Sequence, residues 1–295
     1  MEIISDNVFS SVSIIIPAKN EAENLKTLLP CLLQVAKGAE IIVVNDGSTD
    51  DTRSVCVENN VRTINNPYSK GNGAAIKSGS RAAQNNILVF LDADGQHLPE
   101  DIPRLVGKLL EGYDMVVGAR NMDGQASFGR ATANAIYNWF ASWMVQHKIY
   151  DLTSGFRVAR ANKFREFLSI LPNGFSYPTT ITMAFFRSGL SVSYVPIQTE
   201  KRQGKSHIRI FQDGIRFLLV IFKVGVLYSP FRIFFRVSVL FFLIGLCYYL
   251  YTYYLHTGRF TNMSALLFIT SILVFLIGLI SEQITMLLYQ KNSEK

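Results

Sequence analysis

The sequence predicts an α/β fold: a mostly parallel sheet with helices on both faces, followed by a C-terminal pair of membrane-crossing helices. Three observations carry that expectation. Short β-branched runs alternate with helical stretches from residue 11 to about 120, polar clusters sit at the ends of those runs, and two long charge-free segments close the chain.

The runs are Val12–Ile16, Ile41–Val44, Ile87–Leu91 and Met115–Val117. Between the first two lies a helical stretch, Glu21–Val35, that repeats Leu25, Leu28, Leu29, Leu32 and Leu33 on one face. Strand–helix–strand alternation is the pattern of a parallel sheet covered on both sides. Ligands of such sheets bind at the carboxyl ends of the strands. Here those ends read Pro17-Ala-Lys-Asn-Glu21, Asn45-Asp-Gly-Ser-Thr-Asp50 and Asp92-Ala-Asp-Gly-Gln96. Residues 121–200 are less regular. They suggest a helix over Ala131–Gln146, then Asp151-Leu-Thr-Ser-Gly-Phe-Arg157, two helical patches, and a last strand near Ser191–Pro196.

Composition places the rest. Of 295 residues 49% are hydrophobic and 17% charged, against about 25% charged in ordinary soluble proteins. The deficit sits in Val237–Leu255 and Thr261–Ser281, with no charge in 19 and 21 residues. Each run is long enough to cross a bilayer core of about 30 Å. Disorder, a collagenous repeat and a wholly soluble enzyme are excluded. The expected organisation is a domain over 1–206, an amphipathic juxtamembrane segment over 207–230, and a two-helix hairpin over 231–290. The first apolar run ends at Pro17 with no basic region before it, so no signal peptide is expected. Lys201, Arg202, Lys205, Arg209, Arg216, Lys223, Arg232 and Arg236 crowd before the first span, opposed by Glu200 and Asp213. Only Arg259 lies between the spans, so a multi-pass cell-membrane protein with its N-terminal domain and both termini cytoplasmic is expected. The net charge of +7 therefore reads as a membrane flank, not a nucleic-acid surface. Cys31, Cys56 and Cys247 are too scattered for a disulfide framework or a metal site.

The motif richest in chemistry is Asp92-Ala93-Asp94 at a strand end. Two carboxylates one residue apart can share a divalent cation, Mg²⁺ or Mn²⁺, with Gln96 as a third oxygen donor, or they can simply form a polar turn at Asp94-Gly95. Asn20 and Glu23 read as an N-cap and its capping-box partner, leaving Glu21 for a ligand. Asp46 reads as an acceptor for a nucleobase or ribose, or as an Asx-turn former. Lys70-Gly-Asn-Gly73 is either a phosphate loop or a helix cap. It lacks the spacing of a P-loop, and Ile76 stands where a dinucleotide fingerprint needs glycine. Arg120, Arg130, Arg157, Arg202 and Lys205 flank turns, and Lys201-Arg-Gln-Gly-Lys-Ser206 suits a loop that closes on phosphate oxygens, or one that only contacts lipid headgroups. Glu282 at the membrane edge faces either a partner helix or water.

Together, Ile16-Pro17-Ala-Lys-Asn-Glu21, Val44-Asn-Asp46-Gly-Ser, Asp92-Ala-Asp94-Gly-Gln96-His, Gly118-Ala-Arg120, Thr153-Ser-Gly-Phe-Arg157 and Lys201-Arg202-x-Gly-Lys205-Ser206 resemble glycosyltransferase family 2 with the GT-A, Rossmann-like fold. The resemblance is nearer to the dolichol-phosphate mannose synthase-like branch. The two-span tail is similar to bacterial polyisoprenyl-phosphate glucosyltransferases. What the resemblance implies is inverting, metal-dependent transfer of a hexose, glucose foremost, from a nucleotide sugar to polyprenyl phosphate for cell-envelope glycans, a UDP-sugar being favoured and GDP-mannose, UDP-GlcNAc or UDP-galactose the alternative donors. It implies that Pro17, Asn20, Glu21 and Asp46 hold the nucleoside, and that Asp92, Ala93, Asp94 and Gln96 hold the ion and diphosphate. Arg120, Arg202 and Lys205 would neutralise donor phosphates, and Arg130 would take the acceptor phosphate. Asp151 is read as a base, an orienter of the acceptor or a structural residue, and His97 as loop packing or support for the metal motif. The branch includes homotetramers, so self-association is expected. Lys19 departs from the aromatic residue common in mannose synthases, which argues against GDP-mannose. Against a processive synthase, the chain lacks QxxRW and further spans; against an inactive scaffold, it keeps Asp92, Asp94, Arg120 and Lys205.

Overall fold

The computed structural model describes residues 6–120, 128–174, 176–199, 219, 222, 225–226, 230–255 and 260–293, without the side chains of 6–7, 128–134, 255 and 288–293. The chain forms two compact units, Met1–Leu218 and Leu219–Lys295.

In the first unit the elements run β1 (Val12–Ala18), α1 (Ala22–Val35), β2 (Glu40–Asn45), α2 (Thr52–Glu58), β3 (Arg62–Asn65), α3 (Asn72–Ala82), β4 (Ile87–Phe90) and α4 (Ile102–Leu110). They continue through β5 (Met115–Arg120), α5 (Phe128–Val145), β6 (Arg157–Arg160), α6 (Ala161–Glu166), α7 (Tyr177–Arg187) and β7 (Val192–Ile197). The strands make one sheet in the order β3-β2-β1-β4-β6-β5-β7. Every pairing is parallel except those of β6, which runs against both β4 and β5.

Residue alternation explains the two covered faces. On one side Ile14, Ile16, Val43, Val89, Val116 and Val158 pack with Leu25, Leu29, Leu32, Ile102, Leu105 and Leu109 of α1 and α4. On the other, Gly79 of α3 lies so close to Ile15 that an added Cβ would sit 2.4 Å from its methyl carbon. There also Phe90 meets Phe164 of α6 at 4.4 Å between centroids. Burying a side chain of this size stabilises by roughly 1.5–3 kcal/mol, so both helix layers are held by the same strands.

Connectivity then creates a crevice. The order reverses between β1 and β4, and pairing between them stops at Ile15↔Phe90. Leu91 N–H donates to Ile15 C=O, so the alternate residue Pro17 points to the side β4 has just left. A proline, which has no N–H to give, is tolerated there. Such a switch point is where open α/β sheets bind ligands.

The second unit is an antiparallel pair, α8 (Pro230–Leu255) and α9 (Asn262–Ser293). Their apolar stretches, Pro230–Tyr254 and Asn262–Leu287, have mean hydropathies of 2.1 and 2.7 and are only 17% buried, so they are long and apolar enough to cross a membrane and are not core helices. Ser238 and Ser271 exchange hydroxyl-to-carbonyl hydrogen bonds of 2.9 Å between the helices. Glu282 accepts the Phe231 N–H at 3.2 Å, so its carboxylate meets the N-terminus of α8, a partner helix.

Candidate active site

Six parallel strands deliver their carboxyl ends to one edge, and the reversed β6 brings the loop before it, residues 151–156, to the same edge. The first wall is the β1–α1 turn locked to the β2–α2 turn. Asn20, at φ 56°, accepts the Thr49 N–H at 2.8 Å and donates its own N–H to Ser48 Oγ at 3.0 Å. The cap of α1 comes from Asp50, which accepts the Ala22 N–H at 3.1 Å. This corrects the sequence reading: Asn20 ties two turns together instead of capping, Glu23 pairs with Lys26, and Glu21 accepts from Asn24 Nδ2 at 2.6 Å.

Asp46 is similarly engaged. It is 4% exposed, and its two oxygens accept from Asn66 Nδ2, Ser69 Oγ, Lys70 N and Gly71 N, each at 2.8 Å. Burial opposes ionisation, but the N–H groups and the Asn66 and Ser69 side chains outweigh it and hold the carboxyl below its ordinary value. The loop crosses Gly47 at φ 69°, where a Cβ would stand 2.7 Å from the Tyr68 and Ser69 backbone. A carboxylate offers about four lone-pair sites, and here the chain fills them. Asp46 therefore holds the 66–71 loop in place. In the Lys70–Gly73 segment the backbone hydrogen bonds support the helix-cap alternative. Lys70 and Gly71 donate to Asp46, while Gly73 and Ala74 donate to the carbonyls of Gly174 and Asn173 at 3.2 and 3.1 Å.

The opposite wall is built around Asp151, 5% exposed. Arg120 grips it twice, Nε to Oδ2 at 2.7 Å and Nη2 to Oδ1 at 2.9 Å, and Thr153 and Ser154 N–H groups add 3.1 Å bonds. Burial pushes the carboxyl up, but the hydrogen bonds and charge of Arg120 prevail and hold it low. A carboxylate so paired is a poor proton acceptor, and its two hydrogen bonds orient Arg120. Behind it, Arg157 is fully buried and donates to Ser154 O, Leu152 O and Thr182 Oγ1 at 2.7, 3.1 and 2.6 Å. Arg157 cannot meet a phosphate; it braces the 151–155 loop. Its bracing role was missed because the sequence shows only a cation after a turn.

Between the walls lie Asp92 and Asp94, half-exposed on the turn after β4. Gln96 N–H donates to Asp94 Oδ1 at 3.2 Å, and Gly95 takes φ 71°. The turn is thus real and leaves both carboxylates at the crevice. Gly155 makes room for one: a Cβ there would lie 2.2 Å from Asp92 Oδ2. Among the described residues no three His, Cys, Asp or Glu side chains gather to hold an ion. Two carboxylates with an amide oxygen suit a hard cation that keeps substrate and water ligands, such as Mg²⁺ or Mn²⁺. His97 follows, buried, 5.3 Å from the Phe156 ring, its Nδ1 without a partner among the described residues. Burial pulls its imidazole down to about 4, so it is neutral at pH 7. Arg130 lies on α5 with its side chain outside the described residues; Arg202 and Lys205 lie outside them altogether.

Residues 13–182 match glycosyl transferase family 2, and residues 229–287 match the GtrB C-terminal hairpin. Over 228 residues the chain is 28% identical to a polyprenol monophosphomannose synthase from Mycolicibacterium smegmatis, covering 72% of this chain and 84% of that protein. It is 30% identical over 204 residues to an undecaprenyl-phosphate mannosyltransferase from Micrococcus luteus, covering 64% and 83%. In structure it is similar to glucosyl-3-phosphoglycerate synthase from Mycobacterium tuberculosis, solved with Mn²⁺, UDP and glucosyl-3-phosphoglycerate. That likeness has a TM-score of 0.62 at 20% identity, covers 75% and 82% of the two chains, and reports on the fold. With more than half its length matched and the GT-A sheet in place, the chain belongs to glycosyltransferase family 2 and carries a GtrB-type hairpin.

Proposed function

We propose that the protein transfers a hexose from a nucleotide sugar to a polyprenyl phosphate at the cytoplasmic face of the cell membrane, with inversion at the anomeric carbon. The observation that carries this reading is the pair Asp92 and Asp94, held at the crevice of a family 2 domain whose chain ends in a bilayer-length hairpin. Asp92, Asp94 and Gln96 would hold Mg²⁺ or Mn²⁺, with Ala93 between them fixing their spacing. Bound there, the ion supplies positive charge beside the leaving diphosphate.

The chain's own residues have defined tasks in this reading. Pro17, Asn20 and Glu21 form the nucleoside side, and Asp46 acts through the 66–71 loop. Arg120, aimed by Asp151, faces the phosphates, joined by Arg202 and Lys205. Arg130 takes the acceptor phosphate. A phosphate monoester has a second pKa of about 6 and is largely ionised at pH 7, so the nucleophile needs no strong base. That agrees with an Asp151 committed to Arg120.

For the donor, the hairpin and Lys19 support UDP-glucose; the mannose-named relatives favour a second reading, a mannose donor. Assembly as a homo-oligomer, with a tetramer as the specific form, belongs to the same proposal. The test supplies undecaprenyl phosphate with UDP-glucose, UDP-galactose, UDP-GlcNAc or GDP-mannose, and Mg²⁺ or Mn²⁺, and follows lipid-linked sugar. A β-linked glucosyl lipid formed from UDP-glucose is expected. Mannosyl lipid alone would select the second reading, and no lipid-linked product from any donor would overturn both.

A further inference from the structure

Helix α5 has an inner face of Tyr137, Ala141, Met144 and Val145, all buried. Its outer face is unusual for a helix meeting water. Ile136 and Trp139 are 57% and 68% exposed, with Phe140 and Trp143 half-buried beside them and stacked at 5.7 Å. Spacings of three and four place these four residues in one stripe. No charged residue occurs between Arg130 and Lys148, and the stripe holds both tryptophans of the chain. At its end Tyr150 is 55% exposed, with Lys148 Nζ 4.7 Å from its ring centre.

The same helix braces the site. Asn138 Nδ2 donates to Tyr150 O at 2.8 Å, Leu152 N–H donates to Asn138 Oδ1 at 3.0 Å, and Ile149 N–H donates to Ser142 Oγ at 2.9 Å. These bonds fix the segment that carries Asp151, the partner of Arg120.

We propose that the Ile136–Trp139–Phe140–Trp143 stripe seats in the headgroup–acyl boundary of a bilayer and so holds the Asp151 segment at the level of a lipid phosphate. Three features select a bilayer as the occupant. The chain carries its own bilayer-length hairpin, so a membrane is within its reach. Tryptophan and tyrosine with a flanking lysine are the residues that settle at that boundary. An apolar helix face with cations at its ends matches an anionic lipid surface. The purpose assigned to the contact rests on the polyprenyl-phosphate reading; the contact itself does not.

The test uses the full chain in phosphatidylcholine–phosphatidylglycerol vesicles, with Trp143→Phe leaving Trp139 as the sole tryptophan. The hairpin contains none, so emission reports this face alone. A blue-shifted emission and loss of its greater part in vesicles brominated near the top of the acyl chain are expected. Absence of bromolipid quenching overturns the proposal. Acrylamide then distinguishes water over Trp139, which it quenches, from cover by residues 200–229 or a second copy, which it does not. Because emission needs no turnover, a chain inactive toward every donor still gives the expected quenching if the contact is real.

Discussion

Asp46 and Asp151 lie behind the strand ends, covered and ringed by donors of their own chain, whereas Asp92 and Asp94 stand half-exposed on the turn after β4. All four occupy the same edge of the sheet, and for all four the sequence left open a ligand role and a structural one. The difference lies in what surrounds them. Asp46 receives four hydrogen bonds and Asp151 a two-pronged arginine, so both are held ionised to shape loops. One edge thus combines fixed walls with a pair of half-exposed carboxylates on the turn between them.

The largest effect expected from this contrast is at Asp94. Asp94→Asn should abolish formation of lipid-linked sugar while thermal unfolding stays near wild type, because the change removes a charge at a half-exposed turn and keeps an oxygen able to accept the Gln96 N–H. Turnover at wild-type rates would refute the assignment. Next comes Gly155→Ala. Its new Cβ must displace the Asp92 carboxylate, which is a flexible side-chain end, so stability should fall little. Activity should fall steeply and partly return at high Mn²⁺. Equal losses of stability and activity would show that the glycine serves the loop alone.

Asp151→Asn should cost about 3 kcal/mol, the lower end for breaking a buried ion pair, since the Arg120 side chain keeps 26% of its exposure. The pH dependence has a definite sign. A carboxyl held below its ordinary value of about 4 contributes stability fully above that value and loses it as pH falls through the depressed one. The wild-type advantage over Asp151→Asn, measured by urea unfolding, should therefore be constant near neutrality and vanish in strong acid. An advantage that grows toward acid would contradict the pairing.

The sheet was legible because its strands are β-branched runs, and the hairpin because no charge interrupts it. β6 was not seen. Its four residues, Arg157 to Arg160, begin and end in arginine, and the strand owes its place to pairing with β4 and β5. β3 was missed for the same reason: Arg62–Asn65 is a short edge strand with polar ends. At the site, spacing located the carboxylates but could not say which groups would pair with Asp46 and Asp151. The donors to Asp46 lie 20 to 25 residues away, and Arg120 lies 31 from Asp151. The cap of α1 was misassigned because a local partner, Asn20, was preferred to one 28 residues distant, Asp50.

Asp46→Asn gives the smallest effect and the sharpest comparison with Asp94→Asn. Asparagine keeps one acceptor oxygen but presents an NH₂ where the second oxygen took the Ser69 hydroxyl and the Gly71 N–H. Leaving buried donors without an acceptor costs about 1–3 kcal/mol. Half of the bonds to the 66–71 loop survive, so the loop should loosen and not detach. Lipid-linked product should still form, with a higher donor KM and an unchanged dependence on Mn²⁺ concentration. The two aspartates then separate in one experiment. If Asp46→Asn instead shifts the Mn²⁺ dependence, the 66–71 loop acts on the ion site itself and the division between wall and gap fails.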